Sequence, residues 1–169
     1  MAKRQTSWWA AILLGATMAS AGSSLTEVMG VPWLGGTDAF LKVFPNAVRA
    51  ERMELVNGTV FEDYRVDSDF HGIPVEAAFL FYKGRLFRVV MRFKNFRENQ
   101  VIDLLNRLFG QPDGNRWTMI YSAGPDTLVV LDGIDDTVTI SDKALGEQWE
   151  VQHQRTLQER GYQGRYGGG

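Results

Sequence analysis

The chain has 169 residues, 44% of them hydrophobic and 22% charged, with 18 Lys and Arg against 20 Asp and Glu for a net charge of −2. That length suits one domain, and the composition is that of a globular rather than a disordered protein. The slight acidity argues against a general nucleic-acid or anionic-membrane binder. The lack of cysteine excludes disulfides, thiolate zinc sites, cysteine nucleophiles and a lipid-bearing N-terminal cysteine.

Lys3 and Arg4 precede an apolar run from Trp8 to Ala21, WWAAILLGATMASA, which ends in small residues. This charged, apolar, small-residue order is that of a secretory signal peptide. Ala19 and Ala21 occupy the small-x-small positions, so residues 1–21 are expected to be removed by cleavage after Ala21. The run contains Gly15, Thr17 and Ser20 and falls short of the ~20 apolar residues that a spanning helix needs, so no stable membrane anchor is expected after cleavage. The expected destination is a bacterial periplasm or the exterior.

GGTDAFLKVFPNA (35–47) predicts a short helix with Thr37 as cap, Asp38 at its positive end and Pro45 as stop. Phe40, Leu41 and Phe44 form its apolar stripe. The spacing then changes to period two. MELVNGTVF (53–61) carries Asn57-Gly58, a strong two-residue hairpin signal, and FLFYKGRLF (79–87) carries Lys83-Gly84. A second helix is predicted in NFRENQVIDLLNRLFGQPDG (95–114), with Asn95 and Glu98 as a capping box, Val101, Leu104, Leu105 and Leu108 as its buried face, and Gly110 and Pro112 as its stop. RWTMIYS, TLVVLDG and DTVTISD supply three further strands. The order is helix, meander, helix, meander.

Register follows from burial. A two-residue loop at Lys83-Gly84 pairs Phe79 with Arg88 and leaves both faces of the hairpin mixed. A three-residue loop with Gly84 as bulge pairs Phe79 with Phe87, Ala77 with Val89 and Val75 with Met91, giving one dry face for the two helices to cover. Leu80, Leu86 and Val90 then centre the other face, rimmed by Arg88, Arg92 and Glu76. An apolar centre with a charged rim is how interfaces are built, so Leu80, Leu86, Arg88, Val90 and Arg92 are the candidate partner-binding residues. The alternative is internal: a polar C-terminal helix (143–160) lays Leu145, Trp149 and Leu157 across this face. Residues 161–169, GYQGRYGGG, are too rich in glycine to fold alone and are expected to be disordered.

Other chemistry is sparse. RLFRVVMRF places Arg85 and Leu86 where an RNA-binding strand places stacking aromatics. DSDFHG (67–72) opens like a calcium loop, but Ala78 stands where the bidentate glutamate belongs. Asp132, Asp135 and Asp136 cluster at a turn, and paired carboxylates perform acid–base work only when their environments differ. His71 and His153 are too few for zinc-protease patterns. No catalytic residue, cofactor or metal ligand is therefore assigned.

GVPWLGGTDAFLKVFP, the F-x-F-x-x-G-x-L hairpin at Phe79–Leu86, and LLNRLFGQP followed by Trp117 together resemble a broad group of small exported bacterial proteins. Their fold is similar to the BamE-like outer-membrane assembly factors and to the tandem repeats of β-lactamase inhibitor protein. The resemblance covers roughly residues 30 to 142 and implies helices on one face of an antiparallel sheet in a non-catalytic interaction module. The chain departs from the BamE pattern by lacking the lipid-bearing cysteine and having a longer second half.

The expectation is an α+β domain over residues 22–142, built as two helix-plus-meander halves. It is an exported, non-catalytic protein-interaction or adaptor module of the bacterial envelope, with another envelope protein as partner and no nucleic acid. The alternatives are a periplasmic hydrolase with paired carboxylates and a small-ligand carrier.

Overall fold

The computed structural model describes residues 25–115 and 117–161. The predicted signal peptide and, apart from Gly161, the glycine-rich tail lie outside the described residues. The chain begins with a small hairpin, β1 (Glu27–Val28) and β2 (Val31–Pro32), followed by α1 (Thr37–Val43). A first meander comprises β3 (Val48–Glu54), β4 (Val60–Phe70), β5 (Ile73–Tyr82) and β6 (Arg85–Phe93). After α2 (Glu98–Phe109) comes a second, β7 (Asp113–Asn115), β8 (Thr118–Ser122), β9 (Thr127–Asp132) and β10 (Thr137–Asp142), and then α3 (Lys143–Glu159). The fold is α+β, and its main sheet is antiparallel in the order β3-β4-β5-β6-β10-β9-β8-β7. Pairing of β10 with β6 fuses the two meanders into one sheet.

Period-two alternation supplies the main core. Val75, Ala77, Phe79 and Phe81 of β5, Val89, Met91 and Phe93 of β6, Val138 and Ile140 of β10, and Val129 and Leu131 of β9 all point to one face and are buried. The β6–β10 register sets Met91 against Val138 and Val89 against Ile140, so the dry faces of the two meanders are continuous. Phe40 of α1 and Val101, Leu104 and Leu105 of α2 cover this inner face. Phe40 touches Phe79, Phe81 and Tyr64 at ring separations of 4.9, 5.4 and 5.2 Å.

The hairpin register differs from the expected one in an informative way. Lys83 and Gly84 form a two-residue turn, with φ of 54° and 70°, and Tyr82 pairs with Arg85. The slip occurs further on. Phe81 pairs with Leu86 but Leu80 pairs with Arg88, so Phe87 is the extra, bulged residue. Phe79 consequently faces Val89, not Phe87. The dry face survives because either slip restores the same alternation. The three-residue loop lies instead at 56–58, where Leu55 and Thr59 pair and Gly58 has a φ of 76°.

Two expectations for the helices change. Neither Thr37 nor Asn95 caps its helix: α1 is preceded by Gly36 and α2 by Arg97, with no side-chain cap bond at either. Phe96 instead joins the main core just before α2, as does Val101 within it, the placement of a hydrophobic staple. The helices are also not confined to one face. α3 begins as expected after Asp142, whose carboxylate accepts a hydrogen bond from the Leu145 N–H at 2.8 Å, but it lies on the opposite, outer face.

Candidate functional site: the outer face of the sheet

The outer face has a covered and an uncovered part. α3 covers one end of the first meander. Leu145 and Trp149 pack with Leu55, Phe61, Tyr82, Phe87, Met53 and Leu80 into a second, smaller core. The Trp149 ring lies 5.5 Å from Phe61 and 5.7 Å from Phe87. Polar contacts tie both ends of the helix. Lys83 Nζ donates to Gln148 at 2.7 Å, the Val56 N–H donates to Thr156 Oγ1 at 3.2 Å, and Arg160 donates to the Glu54 carbonyl at 2.8 Å. The cover is imperfect, because Asp63 Oδ1, Arg88 Nε and Trp149 Nε1 are buried without hydrogen-bond partners among the described residues.

Beyond α3 the sheet continues uncovered. One row of paired residues runs Arg65–Ala78–Val90–Thr139–Val130–Ile120–Asp113 from β4 to β7. The next runs Asp67–Glu76–Arg92–Thr137–Asp132–Thr118. Val90, Val130 and Ile120 belong to neither core cluster, and Ile120 is 39% exposed. The result is a shallow apolar stripe with threonine hydroxyls beside it and charges at its ends.

The five residues expected to bind a partner separate accordingly. Leu86 is a correction: the bulge at Phe87 turns it inward, where it is fully buried in the main core and its N–H donates to the Gly35 carbonyl at 2.8 Å. Leu80 and Arg88 are half-buried under α3. The Arg88 guanidinium stacks on Trp149 and Phe87, and burial pulls its pKa below the ordinary range while Glu150 opposes this. Val90 and Arg92 lie on the uncovered part. The expectations missed Thr139, Val130 and Ile120, although the alternation of TVTISD and TLVVLD carried the signal for the first two.

The remaining candidates have structural places. Asp67 and Asp69 lie on β4, and His71 and Gly72 form the two-residue turn into β5, with φ of 51° and 81°. Burial lowers the His71 pKa, Arg107 adds to this and Asp69 opposes it. Asp132 accepts hydrogen bonds from the Ile134 and Asp135 N–H groups at 2.9 and 3.3 Å, shaping the β9–β10 turn. An open groove of about 820 Å³ beside α1 holds Asp67 and Glu76, which face each other across β4 and β5. Lys94 pairs with Asp67 there at 2.8 Å, and both carboxylates are exposed. Neither has the apolar surroundings that set a general acid apart from a base.

No helix among the described residues is long and apolar enough to cross a membrane. Compared with known proteins, the chain matches no family model, no curated protein and no solved structure.

Proposed function

We propose that the protein is an exported, non-catalytic adaptor of the bacterial envelope that holds another envelope protein on the uncovered part of its outer sheet face. The observation that carries this reading is the stripe Val90–Thr139–Val130–Ile120, which crosses four strands and joins neither core. A sheet face becomes an interface when its centre is apolar and its rim polar. Here Arg92, Glu76, Asp132 and Asp113 provide the rim. The charged, apolar, small-residue order of residues 1–21 supports export. The twice-repeated order of helix and meander supports kinship with the BamE-like group.

Photo-crosslinking in living cells tests the proposal. A benzophenone side chain placed at Val90 or at Val130 should give a discrete adduct with an envelope protein, whereas one placed at Arg49, on the opposite face, should not. Folded protein without adducts from both outer positions would overturn the adaptor reading.

A further inference from the structure

The uncovered face has a chemical bias that specifies its partner more closely. Between Arg116 and Lys143 the sequence carries five aspartates and neither lysine nor arginine. Asp142 is spent as the cap of α3. Asp132 lies on the outer face, paired with Thr118 and Thr137. Asp135 and Asp136 follow it in the adjoining turn, and Asp113 stands beside Ile120 on the edge strand. None of these four carboxylates forms an ion pair among the described residues. Ile134, 75% exposed, projects from the same turn. Asp113 thus ends the apolar stripe, and Asp132 flanks it one row along, beside Val130.

We infer that this face docks a cationic amphipathic segment of the partner protein, its apolar side on Val90, Val130 and Ile120 and its lysines or arginines on Asp132, Asp135 and Asp136. The inference rests on the adaptor reading and adds the partner's chemistry. A second copy of this chain would bring the same carboxylates against themselves, and an anionic lipid surface would be repelled by them. Arg92, the one basic residue on the stripe's own strands that faces this surface, has Glu76 opposite it on β5. The acidic end is the uncompensated one.

The test uses the full chain and two fluorescent amphipathic helices of about 18 residues, one of leucine and lysine, the other of leucine and glutamate. The lysine peptide should bind, and its affinity should fall as NaCl is raised to about 0.3 M. The combined variant Asp132→Asn, Asp135→Asn, Asp136→Asn keeps the Oδ1 acceptor that shapes the turn, so it should fold, yet bind the lysine peptide about tenfold more weakly. No binding of the lysine peptide, equal binding of the glutamate peptide, or undiminished affinity in the asparagine variant would overturn the inference. Mapping the partner segment in the Val130 photo-adduct separates the two proposals. An adduct whose crosslinked segment is acidic overturns the cationic partner and leaves the adaptor standing, and no adduct at all overturns the adaptor itself.

Discussion

The Arg88 guanidinium lies over the Trp149 ring, 5.3 Å from its centre, and this contact ties α3 to the middle of the sheet. The Phe87 ring adjoins both, 5.5 Å from the guanidinium and 5.7 Å from the Trp149 ring. A cation over an aromatic ring, partly shielded from water, is worth about 0.5–2 kcal/mol. In a double-mutant cycle, Arg88→Ala and Trp149→Ala should therefore couple by about that amount when unfolding is followed in urea. Additive losses would mean that the ring and the guanidinium stabilise independently.

Phe79 and Arg92 provide the contrast between the two faces. Phe79 is fully buried against Phe40 and Phe44, so Phe79→Ala should cost roughly 3–5 kcal/mol. Arg92 is exposed, and Arg92→Ala should stay within about 0.5 kcal/mol. Similar losses for both would contradict the register.

Deleting everything after Asp142 would strip Leu145 and Trp149 from Phe61, Tyr82 and Phe87. The melting temperature should fall by more than about 10 °C, since each lost kcal/mol moves a domain of this size by several degrees. A truncated protein that melts with the full chain would show that α3 merely rests on the surface. Leu86→Asp belongs with the core variants too, because it buries a charge, and circular dichroism should show it unfolded.

Acid should weaken the fold partly through His71. Burial and Arg107 lower its pKa in the folded state, so the unfolded chain takes up the proton more readily. Stability is then fully present above the ordinary histidine value of 6.5 and is lost as the pH falls from there through the lower folded value. His71→Asn keeps a residue that tolerates the positive φ of this turn. Between pH 8 and pH 5 the melting temperature of the variant should drop less than that of the unaltered protein. Parallel curves would remove His71 from the acid response.

Local chemistry along the chain settles one set of choices. Alternation assigned Phe79, Ala77, Val75, Met91 and Phe93 to the dry face, because neighbouring residues of a strand point to opposite sides wherever the strand pairs. The apolar stripes at Phe40 and at Val101–Leu105 marked two helices, and Gly110, at a φ of 84°, ended the second as expected. Other features depend on partners distant in the chain. Whether the slip in the hairpin falls at Gly84 or at Phe87 is invisible locally, since both restore the same alternation; Trp149, more than sixty residues on, covers Phe87 and leaves Leu86 inside. The joining of β6 to β10 likewise needs both meanders at once, and that pairing sets Val130 and Ile120 in line with Val90. Alternation had already turned Val90 and Arg92 outward; the rest of the candidate face exists only because two separate stretches of chain lie side by side.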